Sequence, residues 1–205
     1  MSSPQPIPQH RVYVSFTAEI DPTTTEGLLG VMAEQANKGI AEVYLLLSMP
    51  GGQVPSGIAL YSALRAMPFK LITHNIANVD SVGNAVFLAG EERYACAHAT
   101  FMFHGVGFDI PGPTRLEEKN FREGLGAILN DQQRIGQIIQ QRTSVPQAEV
   151  AQLFLQQQAK DATYARTHGI IHDIRDAQIP AGLRYFNLYS SGRASFLGKF
   201  PNIDP

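Results

Sequence analysis

Residues 43–47 (VYLLL) form an unbroken apolar run that is closed at once by Ser48-Met49-Pro50-Gly51-Gly52. A run that short and wholly apolar suits a strand covered on both faces, as in a parallel sheet with helices packed against it. The flanking residues fit the same architecture. Residues 11–16 (RVYVSF) are β-branched and aromatic, a strand pattern. Asp21-Pro22 then supplies an N-cap and a first-turn proline. Leu28, Leu29, Met32, Ala33 and Ala36 recur at helical spacing, and Gly39 is placed to end that helix. Ile58, Leu60, Tyr61 and Leu64 predict a second helix over 56–66. Residues 70–74 read as a strand, 75–80 as a turn, 81–88 as a small buried helix and 100–103 (TFMF) as another strand. Strand, helix, strand, helix, strand predicts βαβ crossovers and an α/β fold.

The second half is more helical. A Gly/Pro-rich loop over 105–113 leads to Thr114-Arg115-Leu116-Glu117, a capping-box pattern. A long helix is expected to follow, with Phe121, Leu125, Ile128, Leu129, Ile135, Ile138 and Ile139 on one stripe. That stripe exceeds what a lone surface helix needs to bury, so a homo-oligomer is expected. Pro146 opens a further helix with Val150, Leu153 and Phe154 on its apolar face, and another runs from Asp161 to Gly169. The organisation reads as a flexible arm over 1–10, one domain over 11–182 and a C-terminal tail over 183–205. The tail interleaves Arg184, Arg193 and Lys199 with Tyr185, Phe186, Tyr189, Phe196 and Phe200, a pattern that more often docks a tail than stacks bases.

Composition removes several classes of function. Sixteen Lys and Arg against eighteen Asp and Glu give a formal charge of -2 over 205 residues, so no nucleic-acid partner is expected. The single cysteine, Cys96, excludes an intrachain disulfide framework and a Cys-rich zinc site. His168 and His172 are spaced i, i+4 but straddle Gly169 without a nearby Glu, so no metal is expected. No apolar run approaches the roughly 18–20 residues of a membrane span, and residues 1–10 lack the apolar core of a signal peptide. The expected location is the cytoplasm.

Three segments carry candidate chemistry, each following an expected strand, where sites gather in α/β sheets. Paired Gly51 and Gly52 allow backbone N–H groups to approach a ligand and donate to an oxyanion; they are equally a strand-to-helix turn. Ser81 opens the buried helix, as a nucleophile or as an ordinary N-cap. His104 closes the TFMF strand, as a base for Ser81 or as a histidine bonded to backbone.

Taken in order, these segments resemble the Clp-type serine proteases of the ClpP/crotonase superfamily. Ser48-Met49-Pro50-Gly51-Gly52 corresponds to the family's Ser-Pro-Gly-Gly. Ser81-Val82-Gly83-Asn84-Ala85 corresponds to its Ser-Met-Gly-Ala nucleophile stretch. Ala89-Gly90 and Arg93-Tyr94 follow as in the family, then Thr100-Phe101-Met102-Phe103-His104 for its histidine strand. His168-Gly169-Ile170-Ile171-His172-Asp173 matches its Tyr-Gly-Leu-Ile-Asp end. The likeness covers roughly 11–176. It implies a βαβ spiral with a protruding handle helix, a homo-oligomeric ring, and no cofactor. It also implies hydrolysis of peptide bonds in a peptide or unfolded-protein substrate through an acyl-enzyme. By resemblance Ser81 is the nucleophile, His104 the general base, and the N–H groups of Gly51 and Val82 the oxyanion hole.

Three features depart from the family. Its triad aspartate lies twelve residues before the glycine of the Tyr-Gly-Leu pattern; counted back from Gly169, that position is Gln157. Asp161 is close by, but where a helix N-cap belongs, so the acid is missing or displaced. Ten residues precede the first strand, in place of a long N-terminal segment, which argues against docking of a Clp ATPase. Asp80 directly precedes Ser81, and a carboxylate aimed into the site would oppose an oxyanion. Two rival readings are a non-catalytic Clp-like ring subunit and a crotonase-type acyl-CoA enzyme. No basic cluster near Gly51 and Gly52 is placed to hold the phosphates of CoA.

Overall fold

The computed structural model describes residues 11–107, 112, 115–190 and 195–199. Three strands, β1 (Arg11–Thr17), β2 (Glu42–Met49) and β3 (Lys70–Asp80), run parallel, with Val14 opposite Leu45 and Leu45 opposite Thr73. The helices α1 (Pro22–Asn37) and α2 (Val54–Ala66) connect them. Asp21 Oδ1 accepts the Thr24 N–H at 2.7 Å while the Asp21 N–H donates to Thr24 Oγ1, so the start of α1 is capped in both directions. Alternation along each strand divides the side chains between two faces. Val12, Val14, Phe16, Val43, Leu45 and Leu47 join Leu28, Met32, Leu60 and Leu64 in the main core. On the opposite face Tyr13, Tyr44, Leu46 and Ile72 form a smaller buried cluster. The VYLLL run is therefore buried on both sides.

Residues 75–80 form strand, not turn. β3 changes partner along its length: Ile72 to Asn75 face β4 (Glu92–Ala95), and Asn78 to Asp80 face β5 (Thr100–Met102). Asn75 serves the break with its side chain. Its Oδ1 accepts the Ala77 N–H at 3.1 Å and its Nδ2 donates to Thr100 O at 2.8 Å. The polar residues that read as a turn thus replace ladder bonds where the strand bends.

The short helix α3 (Gly83–Phe87) is wholly buried, and its N-cap is Val82 rather than Ser81. The long helix α4 (Glu118–Arg142) starts from a reciprocal box between Glu117 and Asn120; the Thr114 of the expected box lies outside the described residues. Its C-terminal part packs on the core through Ile135, Ile138 and Ile139, whereas Phe121, Leu125 and Leu129 are more than half exposed. Next come α5 (Gln147–Gln156), β6 (Ala159–Asp161), α6 (Ala162–Thr167) and β7 (Asp173–Ile174). Arg93, 5% exposed, ties these parts together. Its guanidinium donates to the carbonyls of Gly90, Arg142, Gly169 and Ile170, joining the end of α4 and the turn after α6 to β4.

The segment read as a tail extends the sheet. β8 (Arg184–Ser190) pairs in parallel with β1, burying Phe186 and Leu188, and β9 (Ser195–Lys199) pairs with β8. The sheet order is β6-β5-β3-β2-β1-β8-β9, with β4 and β7 branching from β3. Residues 1–10, and the tail's Arg193 and Phe200, lie outside the described residues. Among the described residues no helix is long and apolar enough to cross a membrane.

Candidate active site

The carboxyl ends of β2, β3 and β5 meet, and the three candidate segments meet with them. Ser81 follows β3 in the left-handed region, at φ 57, one of two non-glycine residues described there. Its N–H donates to Met102 O at 2.8 Å, holding the turn to the end of β5, two residues before His104. Asn84 reinforces that join. Its Nδ2 donates to Ser81 O at 3.1 Å and to Met102 O at 2.9 Å, and the residue is 1% exposed. Nothing in its sequence context marked Asn84, except that an amide interrupts an otherwise small, apolar helix.

Gly51 abuts Ser81. A Cβ built on Gly51, whose φ is +94, would lie 2.5 Å from Ser81 Cβ, 2.8 Å from Asp80 O and 3.2 Å from Ser81 Oγ. Only a glycine satisfies both the backbone angle and the contact. Val82 is pinned from α2 in a similar way, since a Cβ on Gly57 would meet its Cγ2 at 2.4 Å. The N–H groups of Gly51 and Val82 donate to no acceptor among the described residues.

His104 is half-buried, and its Nδ1 lies 2.7 Å from Gly105 O. A carbonyl oxygen only accepts, so Nδ1 carries a proton, which leaves Nε2 as the ring nitrogen that can accept one. No hydrogen bond joins Ser81 to His104 among the described residues.

The two candidates for the third position lie on either side of the start of β6. β5 and β6 are antiparallel, with Met102 opposite Ala159 and Thr100 opposite Asp161. β6 begins at Ala159, two residues after Gln157, and no hydrogen bond joins Gln157 to His104 among the described residues. Gln157 ends α5 in the left-handed region, at φ 50, with an exposed side chain. Asp161 stands at the far end of β5, where its Oδ1 caps α6 by accepting the Tyr164 N–H at 2.7 Å. Asp80 is held by Asn78, whose Nδ2 donates to its Oδ2 at 2.7 Å; Ser48 Oγ in turn donates to Asn78 Oδ1.

Another histidine, His74, is fully buried. It lies on β3 among Tyr44, Tyr94 and Cys96. Its Nε2 donates to Arg175 O at 3.0 Å, so its Nδ1 accepts from the Tyr44 hydroxyl at 2.7 Å. Burial pushes its pKa down to about 4. No group of three or more His, Cys, Asp or Glu side chains among the described residues is placed to hold a metal ion.

Comparison with known proteins agrees with this arrangement of elements. The sequence matches the Clp protease family over residues 9–178. It is 24% identical over 162 residues to an ATP-dependent Clp protease proteolytic subunit of Chlorella vulgaris, covering 76% of this chain and 77% of that protein. A protein of the same description from Platanus occidentalis is 27% identical over 168 residues, covering 79% and 81%. Among solved structures, a point mutant of ClpP1 from Listeria monocytogenes superposes with a TM-score of 0.70 at 15% identity, over 81% of this chain and 92% of that one. With a spiral of parallel strands, a long projecting helix and a family match that spans both Ser81 and His104, the chain belongs to the Clp protease family.

Proposed function

We propose that this protein is a Clp-type serine peptidase in which Ser81 is the nucleophile and His104 the general base. Ser81 Oγ attacks the substrate carbonyl carbon and its proton passes to His104 Nε2. The carbonyl electron pair moves onto oxygen, where the N–H groups of Gly51 and Val82 donate to it. The intermediate then expels the amine, which takes the proton from His104, and water hydrolyses the remaining ester. The observation that carries this reading is the close approach of Gly51 to Ser81, with the N–H groups of Gly51 and Val82 donating to no acceptor among the described residues.

No carboxylate supports His104 in this reading. The Gly105 carbonyl accepts from Nδ1 and so fixes the tautomer, the orienting half of a triad acid's role. It adds no negative charge to stabilise the imidazolium, so turnover is slow. The substrate is a peptide or an unfolded protein. The exposed stripe of Phe121, Leu125 and Leu129 supports assembly into a homo-oligomeric ring.

Fluorophosphonate labelling with mass spectrometry tests the reading. Wild type should be labelled at Ser81, Ser81→Ala should not be labelled, and His104→Ala should be labelled far more slowly. Equal labelling of wild type and Ser81→Ala ends the peptidase reading. It would favour the non-catalytic ring subunit, to which the missing Ser81–His104 bond and the position of Gln157 also lend support.

A further inference from the structure

Asp80 directly precedes Ser81, and nothing in the proposed reaction uses its charge. Val79 before it, and Phe101 and Phe103 on the neighbouring segment, are buried in the main core. Asp80 and Met102, which pair across β3 and β5, therefore face the other way, and His104 follows Met102 by two residues. Ser48, between the core residues Leu47 and Met49, is on that side too. A relay of side chains fixes the carboxylate there. Ser48 Oγ donates to Asn78 Oδ1 at 3.1 Å, and Asn78 Nδ2 donates to Asp80 Oδ2 at 2.7 Å and to Met49 O at 3.3 Å. The second carboxylate oxygen, Oδ1, accepts no hydrogen bond among the described residues, and no Lys, Arg or His among them pairs with Asp80. Asp80 O lies 2.8 Å from the place of a Cβ on Gly51, so the acid, the glycine and the nucleophile share one corner of the fold. A partly buried carboxylate is thus held in a fixed place beside Ser81 with no counter-charge.

We infer that Asp80 determines specificity: its carboxylate selects substrates that carry an ammonium or guanidinium side chain next to the scissile bond. The inference rests on the peptidase reading of Ser81 and His104. In that reading the scissile carbonyl lies at Ser81, whose Cα is about 3.8 Å from that of Asp80. A lysine or arginine on an adjoining substrate residue is long enough to reach the open Oδ1, where it makes a charge-assisted hydrogen bond. A glutamate there would meet a like charge that cannot turn away, because Asn78 holds it. The substrate cation also offsets the repulsion between Asp80 and the oxyanion that forms at Gly51 and Val82, so the pairing favours attack as well as binding.

The test reads binding apart from catalysis. Octapeptides blocked at both ends and differing at one central residue (Lys, Arg, Gln or Glu) are titrated calorimetrically into Ser81→Ala protein. The lysine and arginine peptides should bind about tenfold tighter than the glutamine peptide, and the glutamate peptide more weakly than all three. The preference should shrink as sodium chloride is raised from about 50 mM to about 500 mM. Adding Asp80→Asn, which Asn78 can still bond, should bring the lysine, arginine and glutamine peptides to equal affinity. Asp80→Glu, which restores the charge, should recover part of the preference. Equal affinities for the lysine and glutamine peptides in the parent, or a cation preference that survives Asp80→Asn, would each overturn the inference. Absence of Ser81 labelling in wild type, together with a cation preference that Asp80→Asn abolishes, would overturn the peptidase reading and leave the cation selectivity of Asp80 standing.

Discussion

The Cβ that Gly51 lacks would lie 2.5 Å from the Cβ of Ser81, closer than two such carbons can approach. The glycine is therefore required by the serine, and the turn after β2 is built against the turn after β3. Gly51→Ala forces one of them to move, and the backbone at φ +94 resists the side chain as well. The expected result is a loss of roughly 10²-fold or more in fluorophosphonate labelling of Ser81, the scale of losing one oxyanion donor. Gly30→Ala is the control, since its Cβ would meet nothing within 4 Å in mid-helix. It should label at the wild-type rate and melt no lower.

Asn84 Nδ2 donates to both Ser81 O and Met102 O, so it holds Ser81 against the strand that leads to His104. Asn84→Ala should lower the labelling rate with little change in the concentration of probe giving half the maximal rate. Asn84→Ser, which retains a donor, should recover part of the loss. A loss confined to thermal stability, with labelling unaltered, would reduce Asn84 to a purely structural residue.

Much of the fold is legible because its punctuation is strong. Asp21-Pro22, Gly39 and the VYLLL run each admit few alternatives, and they place β1, α1, β2 and α2 close to where they occur. The second half of β3 is hidden because Asn75, Asn78 and Asp80 have the composition of a turn. Only a change of strand partner, which is a tertiary fact, keeps them extended. β8 is hidden for a related reason: aromatics between basic residues read as a tail until β1 supplies the open edge they pair with. In the site, Gly51, Ser81 and His104 are each commonplace in isolation, and their ordered recurrence carried the resemblance. The approach of Gly51 to Ser81 and the register that puts Asp161 opposite Thr100 depend on segments far apart in sequence.

The exposed part of α4 should mediate assembly. Phe121, Leu125 and Leu129 are each at least 55% exposed along one stripe. Leu125→Glu with Leu129→Glu places charge where a partner's apolar surface is expected. Light scattering should show wild type as an oligomer and the double variant as smaller species. A wild-type mass of 22.4 kDa at micromolar concentration would refute the assembly.

His74 makes stability depend on pH. It is fully buried and neutral, with its pKa pushed down by burial from 6.5 to about 4. Between those values the unfolded chain takes up a proton that the folded chain refuses, so stability falls as pH drops from about 6.5 toward 4. The shift corresponds to at most roughly 3 kcal/mol. Urea denaturation at pH 7 and pH 4.5 should show the loss. His74→Phe, less stable at pH 7 because the Tyr44 hydroxyl and Arg175 carbonyl lose their partner, should have a flatter profile across that interval. An equal slope in both proteins would assign the acid sensitivity to other groups.

Gln157 lies two residues before Ala159, which pairs with Met102 at the end of β5 that leads to His104, whereas Asp161 pairs with Thr100 at the other end. Gln157→Asp supplies a carboxylate toward the His104 end, and its charge would stabilise the imidazolium formed during attack. Removal or replacement of the acid in well-studied serine proteases costs roughly 10⁴-fold in turnover. Gln157 is exposed, so a carboxylate at that position recovers only part of such a factor, and a rise of about tenfold in the hydrolysis of a small ester is expected. Adding Ser81→Ala should abolish the gain. Asp161→Asn should behave differently. Asp161 caps α6 through Tyr164, and asparagine caps nearly as well, so both rate and melting temperature should stay close to wild type. Asp161→Ala should cost about 1 kcal/mol of stability with no specific effect on rate. A collapse of activity in Asp161→Asn, with Gln157→Asp inert, would mean that the loop before α6 rearranges to bring Asp161 to His104. A rate unmoved by either change would leave the Gly105 carbonyl as the sole support of the histidine.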